Sequence, residues 1–299
     1  MGTSLTNIKY IKLGASLYVP SNRNDLSAIA NRIKYQHLRS VIFCTEDSIK
    51  DHEISKSLEN ISNMLININT DENILRYIRV RNSDILEQCL TFDAIDKIDG
   101  FVLPKVTRNN INEYYSKFSE TDNFDVMLTL ETPDVFNSQE MVLFRDLLLE
   151  DKFYRRILSI RIGGNDLLNH LHIRRAVTHT VYSTPLRAVI SMLASTFKPF
   201  GFNLTGPVFE GINDAITLNH EVVKDLQHGL FGKSAIHPDH VPIIENHYQV
   251  LRQDLEMAEA ILDNGKPAVF SMHGYMCEPA THTNWARQII ERSRCYGIL

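Results

Sequence analysis

Glu131 and Asp166 each close an apolar run that reads as a buried strand, Asp125-Val-Met-Leu-Thr-Leu-Glu131 and Ile157-Leu-Ser-Ile-Arg-Ile-Gly-Gly-Asn-Asp166. An acid at the end of a buried strand loses hydration and stays ionised only where something offsets that loss. A hard divalent cation is one such partner: two carboxylates, waters and a bidentate 2-oxo acid complete the octahedral shell that magnesium prefers. A cation so placed polarises a carbonyl and stabilises a developing enolate. The same spacing permits a second reading, in which the two acids cap helices, because Thr132-Pro133-Asp134 and Asn165-Asp166 both look like helix entries.

Other chemistry-bearing residues gather at the ends of neighbouring runs: Asn22 and Arg23, Glu46 and Asp47, Arg79 and Arg81, Lys105, Glu210 and His237. Arg79 ends a strand where a buried guanidinium needs an anion, and a substrate carboxylate or an internal pair with Glu46 or Asp47 would serve. Gly163-Gly164 points to a close backbone approach or an unusual dihedral at the strand end, although a plain turn explains it equally well. Twelve histidines, among them His170-Leu-His172, invite a metal reading, but an isolated H-x-H is more often structural. His237-Pro238 is read as a loop-shaping pair. No G-x-S-x-G, Walker A or G-x-G-x-x-G pattern occurs, which disfavours serine-hydrolase, P-loop and classical dinucleotide chemistry.

Strands must bring these residues together. Apolar or β-branched runs at residues Ala15–Pro20, 40–46, 76–82, 100–106, 126–132, 157–164, 202–209 and 233–238 make eight candidate strands. Helical spacing fills segments between them, as in residues 24–36 and 138–149. Such alternation favours parallel pairing with right-handed crossovers, and an eight-fold set favours closure into an α/β (β/α)8 TIM barrel over an open doubly wound sheet. Barrel closure would put every listed strand end on one rim. A helical stripe over residues 241–262 follows, then a turn at 263–267 and a final segment with breaks at Gly274 and Pro279 and a helix-like stretch at 285–293. The expected division is a barrel domain over 1–262 and a C-terminal extension over 263–299, which would cap the barrel or reach a neighbouring subunit.

Composition narrows the partners. The chain has 299 residues, 43% hydrophobic and 22% charged, enough to bury a core without disulfides. Its formal charge of −5 leaves no basic footprint for nucleic acid or an anionic membrane. Cys44, Cys89, Cys277 and Cys295 are too scattered for a zinc knuckle or a redox pair, and a reducing cytoplasm is the expected location. No apolar run approaches the ~18 residues of a membrane span, and the first residues lack the apolar core of a signal peptide. Met1-Gly-Thr-Ser-Leu-Thr6 fits the loose myristoylation pattern, which so short a match meets by chance.

These stretches resemble the citrate lyase beta-subunit-like branch of the HpcH/HpaI aldolase superfamily. Ser16-Leu-Tyr-Val-Pro-Ser-Asn-Arg23 is similar to its opening strand, and Ser40-Val-Ile-Phe-Cys-Thr-Glu-Asp47 to the second strand that ends in an acidic pair. Arg79-Val-Arg-Asn82, Gly100-Phe-Val-Leu-Pro-Lys-Val106, Leu128-Thr-Leu-Glu-Thr132, Gly163-Gly-Asn-Asp-Leu167 and Ala235-Ile-His-Pro-Asp239 follow in the family's order. The resemblance implies a TIM barrel in which Glu131 and Asp166 hold Mg2+ and Arg79 grips a 2-oxo acid, with Glu46 and Asp47 binding metal waters and steadying Arg79. It further implies cleavage or formation of a carbon–carbon bond next to a carbonyl, commonly on a citryl, malyl or methylmalyl thioester of coenzyme A or acyl carrier protein. Trimers or hexamers are implied too, with each C-terminal segment covering a neighbour's active site.

The chain departs from the family at three places. The arginine that often precedes the first strand is missing around Gly14 or Ala15, and Cys44 stands where an aspartate is frequent. Where the family often shows Asp-Gly-Lys-Met followed by an acid and proline, the tail reads His273-Gly-Tyr-Met-Cys-Glu-Pro279, with Glu278 standing in for the family's acid at a spacing one residue short. The pattern is that of a divergent subgroup, similar to the citrate-lyase-like proteins encoded beside tellurite-resistance-type genes. The expected activity is a magnesium-dependent carbon–carbon lyase acting on a 3-hydroxy acid or its thioester, with Glu278 of a neighbour or a water moving the proton. The alternatives are an aldolase on a free 2-oxo or hydroxy acid, which the missing arginine motivates, and a non-catalytic metal- or ligand-binding barrel, which the altered tail motivates.

Overall fold

The computed structural model describes residues 8–70 and 73–299; the myristoylation-like hexapeptide lies outside them. Eight strands, β1 (Ala15–Pro20), β2 (Ser40–Cys44), β3 (Leu75–Arg79), β4 (Gly100–Leu103), β5 (Asp125–Leu130), β6 (Ile157–Ile162), β7 (Leu204–Thr205) and β8 (Lys233–Ala235), form one parallel sheet in the order 7-6-5-4-3-2-1-8. The ring closes where Gly206, just past β7, bridges in parallel to Lys233 of β8, its N–H donating to Gly232 O at 2.8 Å. The fold is therefore a TIM barrel, as the alternation predicts. The N-terminal helix α1 (Ile8–Leu13) covers the end at which the strands begin, held there by Lys9 against Asp99 and Asp125 and by the Tyr10 hydroxyl against the carbonyls of Leu204 and Phe231. The other end, formed by the carboxyl ends of the strands, stays open.

Every strand except β1 stops earlier than its apolar run, because backbone pairing continues past the regular ladder. Thr45 N–H donates to Arg79 O, Val106 N–H to Thr129 O and Gly163 N–H to Leu130 O. The runs thus extend into the rim that carries the polar residues.

Around the barrel lie α2 (Leu26–Ala30), α3 (Ile54–Ile66), α4 (Ser83–Leu90), α5 (Ile111–Tyr115), α6 (Ser138–Leu148), α7 (Asp151–Tyr154), α8 (Gly164–His170), α9 (Leu186–Phe197) and α10 (Ala215–Gln227). The apolar faces of these elements join the strands in one large core. The helix expected over 24–36 is a single turn and a half. The chain leaves it at Asn31, whose side chain docks on the backbone of Asn67 and Asn69, and both Arg32 and Tyr35 take left-handed φ.

The stripe over 241–262 is two helices, α11 (His240–Asn246) and α12 (Arg252–Leu262). Between them Val250 spends its backbone groups on the tail, donating to Gly297 O and accepting from Leu299 N–H. The hairpin of β9 (Phe270–Met272) and β10 (Tyr275–Cys277) and the long α13 (Pro279–Tyr296) follow. Val250, Met257, Ala258, Ile261, Cys277, Ala286 and Ile289 make a second, smaller core between α12 and this tail. Among the described residues no helix is long and apolar enough to cross a membrane.

Candidate metal and substrate site

In a parallel strand the inward residues recur at every second position, so β5 sends Met127, Thr129 and then Glu131 along one wall, and β6 sends Ser159, Arg161 and Gly163 along the next. At the open end they face Tyr18 of β1, Cys44 of β2, Arg79 of β3 and Ser234 of β8. Together with Asp47, Gly164, Asn165 and Asp166 these residues line a cavity of about 400 Å³.

Glu131 is 2% exposed. Its Oε1 accepts from Arg79 Nη2 at 3.1 Å and from the backbone N–H of Lys105 at 2.9 Å. That amide is aimed inward because Lys105 takes a left-handed φ of 50°. Oε2 receives no hydrogen bond among the described residues and faces Gly163. A Cβ at Gly163 would collide with both Cβ and Oε2 of Glu131, while its φ of −81° is ordinary. Close approach, rather than an unusual dihedral, therefore explains the glycine. Asp166 sits in the first turn of α8 and carries no hydrogen bond among the described residues. The Glu131 carboxyl is pushed up to about 7, first by burial and then by the negative charge of Asp166, against the pull of Arg79.

Arg79 is gripped from two sides. Its Nη2 lies 2.9 Å from Glu46 Oε2 and 3.1 Å from Glu131 Oε1, with Asp47 Oδ2 at 3.6 Å. Its Nε is buried without a partner. Lys105 Nζ pairs with Glu46 and, at 3.1 Å, with Asp47. Burial and the contact with Asp47 raise the Glu46 carboxyl; Asp47 ends below its usual range because its bonds to Glu46 and Lys105 and the charge of Arg79 outweigh burial. The internal ion pairs that the strand ends permitted are thus present, and they hold the arginine at the cavity wall.

Glu131 and Asp166 fit a hard divalent cation. Oε2 of Glu131 and the carboxylate of Asp166 are free of competing donors among the described residues, and mutual repulsion raises the energy of the ionised pair in the absence of a positive charge. Among the described residues no third His, Cys or acid joins them in a cluster, which leaves further positions to water and substrate, the usual condition of protein-bound magnesium. Neither acid is a helix N-cap: Thr132 precedes the short turn at Pro133–Phe136, and Gly163 precedes α8.

The remaining candidates lie apart. Arg81 is tied to Asp51 and to carbonyls of the loop after β2, Arg23 to Asp25, Glu210 to Arg174, and His237 faces Asp239 at 3.6 Å. Glu278 precedes α13 at its N-cap position, accepts from Thr281 Oγ1 at 2.9 Å, and does not line the cavity of its own chain. Gly14 and Ala15, where the family's arginine is missing, sit at the opposite end of β1, with Gly14 packed against Glu245 and Tyr296.

Among the lining residues that escaped the sequence reading are Tyr18, Thr129, Ser234 and Arg161. Tyr18 presents its ring to both Arg79 and Arg161, at 5.9 and 5.5 Å. The available signal was a full positive charge inside the apolar run at 157–162, in phase with Gly163.

The model of a family described as C–C bond lyases of the TIM-barrel fold matches residues 7–298. No curated protein matches the chain. Among solved structures, the CitE protein of Mycobacterium tuberculosis in complex with magnesium, acetoacetate and coenzyme A superimposes with a TM-score of 0.66 at 17% identity, over 94% of this chain and 98% of that one. The citrate lyase beta subunit from the same organism, complexed with oxaloacetate and magnesium, gives 0.56 at 17% identity, over 78% and 96%. A malate synthase of Haloferax volcanii gives 0.64 at 14% identity, over 78% and 72%.

Proposed function

This chain belongs to the family of C–C bond lyases of the TIM-barrel fold, and from that premise we propose that it is a magnesium-dependent lyase for a 3-hydroxy acid or its acyl thioester, releasing or consuming a 2-oxo acid. The observation that carries the reading is the convergence of Glu131, just past β5, and Asp166, in the first turn of α8, on the wall of a cavity that also holds Arg79. Magnesium between those carboxylates would supply Lewis-acid polarisation of the 2-oxo group and stabilise enolate charge as the carbon–carbon bond breaks. The magnesium, acetoacetate, oxaloacetate and coenzyme A named with the similar structures support this choice of metal and substrate class.

The chain's own residues have distinct tasks. Arg79, its Nε still unpartnered, orients a carboxylate or carbonyl oxygen of the acid. Glu46 holds Arg79 in place, and Lys105 ties Glu46 to Asp47. The amide of Lys105 fixes Glu131 Oε1, so that Oε2 is the oxygen offered to the metal. Glu278 is assigned to the cavity of a neighbouring copy, as the proton carrier. The exposed Val269, Tyr275 and Met276 of the preceding hairpin region support burial against that copy, in a trimer or hexamer.

The test is cleavage of a panel of hydroxyacyl thioesters of coenzyme A and acyl carrier protein and of free hydroxy acids, with and without Mg2+, alongside calorimetric Mg2+ titration. Glu131→Ala and Asp166→Ala are expected to abolish both turnover and metal binding. Full magnesium-dependent activity in both variants would overturn the assignment, and turnover of any panel member removes the non-catalytic reading.

A further inference from the structure

Arg161 is the penultimate residue of β6, is 2% exposed, and points into the cavity. Its hydrogen bonds are poor for a buried cation: Nη2 donates to Ser234 Oγ at 2.8 Å, Nη1 to the Met127 thioether at 3.4 Å, and Nε to nothing. The other buried basic side chains are better served. Arg175 and Lys233 face Glu221 and Asp225, Arg156 donates to the carbonyls of Asp122 and Ser119, and Arg76 to those of Ala30 and Asn69. Among the described residues no carboxylate pairs with Arg161. A desolvated guanidinium without an anion is costly, and a full strand of well-packed apolar residues would have been the stable alternative.

The neighbouring wall is unsatisfied in the same layer. Thr129 and Thr205 are the register partners of Arg161 on β5 and β7, and the hydroxyl of each is buried with no partner among the described residues. Among the described residues these two hydroxyls and the Nε of the guanidinium between them thus lack partners in one layer. An anionic oxygen group would satisfy them at once. The level of Glu131 and Gly163 lies two residues further along the same strands, about 6.6 Å at ~3.3 Å per residue. That separation matches the length of a short dicarboxylic acid.

We propose that Arg161, with Ser234 and Thr129, forms a second anion subsite on the cavity floor, which binds the distal acidic group of a 2-oxo acid whose oxo end lies at Glu131 and Asp166. The proposal rests on the reading above for the oxo end and adds the substrate class: a dianionic 2-oxo acid, its far group a carboxylate or a phosphate-like head.

The test is calorimetric binding of pyruvate, oxaloacetate and phosphonopyruvate to the full chain with Mg2+. Pyruvate lacks the second charge, and the two dianions carry carboxylate and phosphonate respectively. The wild type is expected to bind at least one dianion about tenfold to a hundredfold more tightly than pyruvate, the worth of a charge-assisted hydrogen bond. Arg161→Met should erase that preference and leave pyruvate unchanged, and Arg161→Lys should restore part of it. Ser234→Ala, a smaller change that keeps the cation, should weaken only the dianions, by about threefold to tenfold. Which dianion responds identifies the distal group. A wild type that binds none of the three, or shows no preference for either dianion, overturns the subsite. So does an equal loss for all three acids in Arg161→Met. Glu131→Gln separates the two readings: unchanged pyruvate affinity there, with the Arg161-dependent preference intact, would count against the metal site and not against the subsite.

Discussion

Glu131→Gln exchanges a carboxylate for an amide of the same shape at the site where burial raises the pKa to about 7, from an ordinary value of 4.5. The folded state therefore holds the Glu131 proton more tightly than the unfolded chain does. The stability linked to this proton is fully present below pH 4.5 and is lost as pH rises through 7. At ~1.36 kcal/mol per pH unit, the gap between the two values makes the ionised form cost the metal-free fold about 3 kcal/mol at pH 8. Urea unfolding of wild type and Glu131→Gln in EDTA, at pH 5 and pH 8, isolates this term. Glu245 and Asp225, which burial also raises, to about 7 and about 6, titrate in both proteins and cancel in the comparison. Because part of the term is already lost at pH 5, the wild type should lose about 2–3 kcal/mol more than the variant between the two pH values. Saturating Mg2+ at pH 8 should return that loss to the wild type and not to the variant, because only the native pair binds the cation. Parallel pH dependence of the two proteins, or undiminished stabilisation of Glu131→Gln by Mg2+, would refute the reasoning.

Gly163→Ala places a methyl group against Glu131 Cβ and Oε2, so it should shift that carboxylate, weaken Mg2+ binding and destabilise the fold by about 1–3 kcal/mol; a metal titration matching the wild type would show that the close approach is immaterial. Lys233→Met leaves Glu221 and Asp225 buried opposite a methyl thioether, and urea unfolding at pH 8 should register a loss of about 3–5 kcal/mol. That loss should shrink toward pH 5, where Asp225, already raised to about 6, takes up a proton. A loss below ~1 kcal/mol would show that the buried network is dispensable.

The parts of the fold legible in the sequence are those set by local periodicity. Alternating apolar runs and amphipathic stripes are sufficient to call for parallel strands with helical crossovers, and β1 begins and ends at the residues that its pattern marks. The pattern failed where a distant segment claims the backbone. Val250 pairs with Gly297 and Leu299, and Asn31 docks on Asn67 and Asn69, so two apparently continuous helices are interrupted by partners far along the chain.

The site divides along the same line. Closing parallel strands into a ring puts all their carboxyl ends on one rim, so Glu131, Asp166, Arg79 and the Glu46–Asp47 pair could be gathered from residue type and position alone. Tertiary structure decided what each of them experiences. The clamp of Glu46 and Glu131 on Arg79, the inward amide of Lys105, the bare Oε2 of Glu131 and the bare carboxylate of Asp166 depend on through-space distances of a few ångströms and on loss of water, which no spacing in the chain encodes. Arg161 makes the point most sharply. A single arginine in an apolar strand is visible in the sequence, but that it looks into the cavity without a carboxylate paired to it among the described residues is a property of eight strands closing together, because only the closed wall determines which charges meet.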